Sequence, residues 1–380
     1  MGGLLVVLII LGCVAYQYLK GTFVKSFAII IISICAGVVA FGYFELLANI
    51  LVSREILALW AQPLSFAMLF ILTFAILQTI AAQLTRRSVD LGFLPERIGR
   101  VVCGIFLGLI ISGFLLTAAA MAPISAKYPY QRFNQTTPDP ENPSKALLNA
   151  DGLATGWFSI ISSGSFSGKR SFAVLHPAFL DQLFLNRHEI DNRVSIITSP
   201  GAIEIPKKAV WPAPEGLKDS NGKPVLSKGG YNLTIVRLEI TTKADEFTLS
   251  QLRVVCKQKD DKNPLVGKGK NIYPAGYLKT AGELQIKKLT DLIKIDRSYF
   301  KGSTIAIDFA FYVPDGFVPV LAEFKQNSIN QLPPPVTADQ APSAVSFPPS
   351  SEPAADTAKN TSEDASKDTA QKTAEPNSPK

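Results

Sequence analysis

Two histidines, His176 and His188, are the only imidazoles in this 380-residue chain, so any histidine-based acid–base, nucleophilic or metal chemistry must use one of them. A serine hydrolase needs a nucleophile, a histidine base and a carboxylate brought together. The serine-rich candidate is Gly164-Ser165-Phe166-Ser167-Gly168. A nucleophile elbow puts serine at the centre of G-x-S-x-G, and Phe166 holds that place. His188 lies in Asn186-Arg-His-Glu-Ile-Asp191, which reads as a polar turn. The two histidines have no cysteine near them and match no common zinc spacing. Val266-Gly-Lys-Gly-Lys270 lacks the G-x-x-x-x-G-K-[ST] phosphate-loop pattern and reads as a Gly/Lys loop between strands. Of the four cysteines, Cys13, Cys35 and Cys103 sit in apolar runs and Cys256 stands alone in the polar part, which argues against a disulfide framework or a thiolate metal site. The expectation is a non-enzymatic chain with no catalytic, cofactor-binding or metal site.

The other residues with chemical potential are polar groups set in apolar surroundings. Glu45 closes one apolar run and Asn49 lies one turn on, while Gln78 and Gln83 fall in or at the end of another. Ionisable and amide groups inside a membrane are functional candidates by default. Glu45 and Gln83 fall near helix ends, where they reach the interface. Gln78 is the deep one, and a single amide most often bonds one helix to another.

Four apolar runs hold these groups: Gly3–Tyr18, Phe27–Phe44, Pro63–Ala82 and Val101–Ala122. Each approaches or reaches the roughly 20 residues that a helix needs to cross a bilayer, so four transmembrane helices are expected. No Lys or Arg precedes the first run, so it lacks the basic start of a signal peptide and reads as a retained helix. Lys and Arg collect in cytoplasmic loops. Lys20 and Lys25 lie in the first loop, and Arg86, Arg87, Arg97 and Arg100 in the third. The second holds Arg54 beside Glu55. Loops one and three are therefore expected in the cytoplasm, with both termini and everything after Ala122 outside it, despite Lys127 and Arg132. The formal charge of +7 (38 basic, 31 acidic) is spread over loops and strand faces, which speaks against nucleic acid as a partner.

The fourth run carries Gly104, Gly108 and Ser112 at four-residue steps. Small residues on one helix face admit a second backbone. Packing within a four-helix bundle is the favoured reading, and an oligomer seam the alternative. The first helix closes with Tyr18-Leu19-Lys20-Gly21. A second helix follows at once, then a long third. A basic loop with Arg97-Ile98-Gly99 precedes a glycine-stepped fourth helix that ends at Met121-Ala122-Pro123. Over about residues 1–125 this resembles the colicin V production protein (CvpA) family. Lys20-Gly21 matches that family's basic–Gly pair, and Gly99, Gly104 and Gly108 match the start of its fourth helix. Here the first glycine spacing is five residues and Arg100 intrudes. The resemblance implies a multi-spanning protein of the bacterial inner membrane linked to colicin V production or export.

Beyond the bundle, residues 126–193 read as a linker with short helices. Pro129, Pro138, Pro140 and Pro143 mark the linker, 144–163 suggests one helix with a break at Asp151-Gly152, and 176–185 suggests another started by Pro177. From Val194 to Gln326 the pattern turns to strands. Apolar residues alternate with polar or small ones in Val236–Ile240, around Leu252, Val254 and Cys256, and in Ile305–Val313, with further strands at Glu283–Leu289 and Val320–Phe324. An immunoglobulin-like β-sandwich is the natural packing, with Cys256 on its inner face. Beyond Ile329 the chain is rich in Pro, Ala, Ser, Thr, Asp and Lys, with Phe347 as the one aromatic, and residues 327–380 read as a disordered tail. The fold class expected is an α-helical membrane bundle plus an all-β soluble domain. The partners expected are the lipid bilayer, an envelope or secretion protein that binds the β-domain, and a second copy of the chain. A channel or export accessory that oligomerises through its helices is the alternative.

Overall fold

Four helices occupy the apolar third: α1 (Gly2–Lys20), α2 (Phe23–Ser53), α3 (Ala61–Leu84) and α4 (Phe93–Met121). All four are long and apolar enough to cross a membrane. They belong to a computed structural model that describes residues 2–84, 92–164, 168–188, 190, 194–225 and 228–349. The basic pair Arg86 and Arg87, the serines Ser165 and Ser167, and the tail from residue 350 lie outside the described residues. Leu8, Leu11, Ile71 and Ile76 are among many large apolar side chains left exposed on the bundle. In water that surface would be a liability, and a bilayer is its natural solvent.

The helix ends follow from local chemistry. The Thr22 hydroxyl accepts from Lys25 N at the start of α2, and Glu96 on α4 reaches across to accept the orphan Phe23 N–H at 2.8 Å. Helix α2 runs for 31 residues, a length of about 46 Å that exceeds the hydrocarbon thickness. Its last turns, from Glu45 to Ser53, form an extension of the run ending at Phe44.

The short helices expected near 144–163 and 176–185 are present, but they pack on the bundle rather than lying along a free linker. Among the described residues α5 (Ala150–Ser163), α6 (Phe172–Leu175) and α7 (Phe179–Asn186) cap one end of the bundle. Phe158, Phe172, Phe179 and Phe184 share one core with Phe41, Phe44, Phe66 and Phe114 of the long helices. The break before α5 falls at Leu148 and Asn149, both with positive φ, rather than at Asp151-Gly152. Helix α7 starts after Ala178, so Pro177 lies outside it.

Among the described residues thirteen strands build the polar half: β1 (Ile203–Glu204), β2 (Val210–Pro212), β3 (Lys218–Asp219), β4 (Tyr231–Thr241), β5 (Glu246–Thr248), β6 (Leu252–Gln258), β7 (Lys270–Ile272), β8 (Gly276–Thr280), β9 (Glu283–Ile286), β10 (Leu292–Lys294), β11 (Thr304–Pro314), β12 (Phe317–Phe324) and β13 (Ser328–Gln331). The larger sheet has the order β1-β4-β11-β8-β9-β3, with β2 also on β4. The smaller sheet is β13-β12-β6-β7, and β5 pairs with β10 in a ribbon. All pairings are antiparallel except β3 with β9. Val236, Leu238, Ile307 and Phe309 of the larger sheet meet Leu252, Val254, Cys256 and Phe324 of the smaller in one core, as period-2 alternation requires. Cys256 is fully buried there, and burial pushes its thiol up to about 12.

Two departures from alternation matter. Arg253, Val255 and Lys257, on the face of β6 expected to meet water, are buried: Arg253 and Val255 pack on the cap, and Lys257 is covered by the loop holding Asp261 and Val266. Val255, for example, clusters with Val174 of α6. The fold also runs past residue 326. Strand β13 pairs with β12, and the next residues return over the larger sheet, where Arg237 donates to the Ser343 carbonyl at 2.7 Å and Val345 N donates to Asp308 at 3.0 Å. Phe347 is buried against Tyr277 and Tyr299. Residues 327–349 therefore belong to the β-domain, contrary to the reading of their composition.

Candidate functional site

A chain of buried polar side chains joins the bundle to the β-domain. It begins with Glu45 on α2, whose carboxylate faces His176 Nε2 in an ion pair. His176 Nδ1 lies 3.1 Å from Gln182 Oε1 of α7. The Gln182 amide nitrogen donates to Glu323 on β12, and the other Glu323 oxygen takes the Arg253 guanidinium. Glu323 and Arg253 are direct cross-strand partners on β12 and β6. Arg253 also donates to Asn271 of β7 at 2.6 Å and to the Leu175 carbonyl at 2.7 Å, and the Asn271 amide returns to the Pro177 carbonyl. The His176, Arg253 and Glu323 side chains are at most 3% exposed.

The roles along this chain are fixed from one end. Glu323 is the acceptor for Gln182 Nε2, which leaves Gln182 Oε1 as an acceptor. His176 Nδ1 must then be an N–H donor. Its Nε2 stands beside the Glu45 carboxylate within ion-pair distance, and a protonated imidazole satisfies both ring nitrogens. Burial alone would push His176 down, but Glu45, with help from Glu323, holds it above the ordinary histidine range. Burial raises Glu323 above the usual carboxylate range, against the pull of Arg253 and His176. Phe172 and Phe179 lie edge-on or tilted to the imidazole at 5.0 and 5.1 Å, which keeps its surroundings dry.

Glu45 remains partly exposed on one side. There it lines a pocket of about 220 Å³ with Asn49, Gln62, Arg170, Gln326 and Asn327. Gln62, in the first turn of α3, donates to the Gln326 carbonyl at 3.0 Å, a second bond from the bundle to the β-domain. Gln251 Nε2 reaches the Asn186 carbonyl at 2.9 Å and ties the end of α7 to the strand domain.

A second network holds the cap on the bundle. The Tyr130 hydroxyl bonds Asp151 of α5, and Arg132 donates to Tyr130 at 2.8 Å and to Asp181 of α7 at 2.5 Å. Burial raises Asp181 above the usual carboxylate range, against Arg132. Arg187 is fully buried. It donates to the Ala119 carbonyl in the last turn of α4 at 2.9 Å and to the Tyr128 carbonyl. A cation there complements the negative end of the helix dipole, although burial lowers the guanidinium to about 10.

The residues singled out in the sequence fall in different places. A Cβ on Gly104 would lie 2.7 Å from Val14 Cα, and one on Gly108 2.6 Å from Ile10 Cα, so α1 of the same chain fills this face of α4. The Ser112 hydroxyl is buried with no hydrogen-bond partner among the described residues. Gln83 is exposed, and Gln78 lies near the end of α3 away from the β-domain, facing Lys20 and Lys25 across a pocket. His188 Nε2 bonds the Gln135 carbonyl at 2.6 Å, apart from the chain that holds His176. Among the described residues no group of three or more His, Cys, Asp or Glu side chains is placed to hold a metal ion. Sequence reading missed the Glu45–His176 pairing, which links positions with no common motif. The available signal was a carboxylate just past an apolar run, together with a histidine set among phenylalanines.

The chain matches no family model, no curated protein and no solved structure. The class of protein rests on the fold: a four-helix apolar bundle with a docked β-rich domain.

Proposed function

We propose that the chain is a non-enzymatic, multi-spanning protein of the bacterial inner membrane, of the CvpA-like type. Its β-domain, an immunoglobulin-like sandwich in this reading, stands outside the cytoplasm and binds an envelope or secretion partner. The observation that carries the proposal is the buried chain from Glu45 through His176 and Gln182 to Glu323 and Arg253. Buried ionic groups add little net stability against apolar packing, and their best-attested use is to fix one arrangement. A module that meets a partner at a set height and angle above a membrane needs such a fixed mount.

Placement supports the orientation. The β-domain and cap meet the bundle at the start of α1, the end of α2, the start of α3 and the end of α4, as the bonds of Gly2, Glu45, Gln62 and Ala119 record. Lys20, Lys25, Arg97 and Arg100 belong to the turns at the opposite end, which is the cytoplasmic end by the positive-inside rule. Oligomerisation through the Gly104/Gly108 face is not carried forward, because α1 fills it. The test is labelling of an Asn221→Cys variant, in an exposed loop of the β-domain, with a maleimide that cannot cross the inner membrane. Cells with a permeabilised outer membrane should label before lysis. Labelling only after lysis would put the β-domain in the cytoplasm and end this reading.

A further inference from the structure

The bundle end farthest from the β-domain holds a polar pocket of about 260 Å³ between α1, α2 and α3. Lys20, in the last turn of α1, and Lys25, in the first turn of α2, stand at its mouth. Gln17 is fully buried in its wall. The Gln17 Oε1 accepts from the Ser26 hydroxyl at 2.8 Å, which sets the amide orientation and leaves Nε2 as a donor with no partner among the described residues. Across the pocket, Gln78 Oε1 is a buried acceptor, also without a partner among the described residues. A buried amide left unpaired is costly, and with both residues in the lining of one pocket a ligand that is both acceptor and donor would satisfy them. Ala28, Ile29 and Ile32 of α2, with Ala81 and Ala82 of α3, complete the lining and carry it into the apolar part of the bundle. Among the described residues no carboxylate lines it.

We propose that this pocket binds the headgroup of one anionic phospholipid that carries both a phosphate and a free hydroxyl. The phosphate accepts from Gln17 Nε2 and lies between Lys20 and Lys25. The headgroup hydroxyl donates to Gln78 Oε1, and an acyl chain follows the alanine and isoleucine wall. Basic pockets between membrane helices recognise lipid headgroups in this way. A free anion would satisfy the lysines and Gln17, but it would leave the apolar wall uncovered.

The test is native mass spectrometry of the full chain in mild detergent, titrated with phosphatidylglycerol and phosphatidylcholine of identical acyl chains. The wild type should retain phosphatidylglycerol about thirtyfold more strongly, as two lysines near the surface would give. Lys20→Gln/Lys25→Gln changes two exposed side chains and so preserves the fold, and it should abolish the preference. Gln17→Leu should weaken phosphatidylglycerol retention while leaving phosphatidylcholine unchanged. Gln78→Leu should remove a preference for phosphatidylglycerol over phosphatidylmethanol, which lacks the hydroxyl. Equal retention of phosphatidylglycerol and phosphatidylcholine by the wild type, or an unchanged preference in the double lysine variant, would overturn the proposal. Full displacement of the lipid by millimolar inorganic phosphate would overturn it in favour of a soluble anion.

Discussion

Replacing Arg253 by Met should destabilise the protein far more than replacing Arg253 and Glu323 together. Arg253 donates to Glu323, Asn271 and the Leu175 carbonyl, and both ionic side chains are at most 3% exposed. Without the guanidinium, Glu323 is a buried carboxylate with the Gln182 amide as its remaining bond. Breaking a buried pair from one side costs about 3–5 kcal/mol, which at about 1–2 °C per kcal/mol for a chain of this length is a fall in Tm of roughly 3–10 °C. Burial already raises Glu323, and loss of Arg253 raises it further. A carboxyl whose folded pKa lies above its unfolded value keeps its stability below the unfolded value and loses it as pH rises through the folded one. The penalty of Arg253→Met should therefore be smaller at pH 5 than at pH 8. Arg253→Met/Glu323→Leu should recover most of the loss at pH 8. The assay is thermal unfolding of the full chain in one detergent at both pH values. A fall below about 2 °C, an equal fall at both pH values, or a double variant less stable than the single one would refute the reasoning.

Gly108→Leu places a side chain against Ile10 of α1. Overpacking of about 1–3 kcal/mol should lower the Tm, while the mass from light scattering stays that of the wild type. His176 is held up by Glu45, so this pairing is fully present below the ordinary histidine value of about 6.5 and is lost as pH rises through the folded value. Glu45→Gln should therefore lower Tm at pH 6, and the gap should close at alkaline pH. Lys325 is 5% exposed, and burial lowers its ammonium to about 8. Between that value and about 10.4 the unfolded chain binds more protons, so this group makes stability rise with pH. Lys325→Met should remove that slope and raise stability at pH 7 by on the order of 2 kcal/mol in chemical denaturation.

The long-range order of this fold was only partly legible in its sequence. Apolar run length marked the four helices, because a bilayer sets a length that few other constraints imitate. Alternation marked β4, β6 and β11, since Val236, Leu238, Ile307 and Phe309 all face one core. The cap was obscured by local composition. Pro129 and Pro138 suggest a linker, yet Phe158, Phe172 and Phe179 share the core of the bundle. Arg253 and Lys257 read as a solvated strand face because periodicity cannot show what covers a sheet. Glu45 and His176 lie far apart in sequence, and the contact depends on how α6 packs against α2. Residues 327–349 show the same limit, since a Pro/Ala-rich return is held by Arg237, Asp308 and the core that receives Leu332 and Phe347, none of which its own composition reveals.

The central claim is that the β-domain is mounted rigidly on the membrane bundle. It is tested most directly by the distance distribution between spin labels at Arg54→Cys, beyond α2, and Lys279→Cys, on β8, in a background with the native cysteines replaced. In lipid discs the account predicts one narrow peak. A broad distribution, as for a domain on a flexible tether, would contradict it.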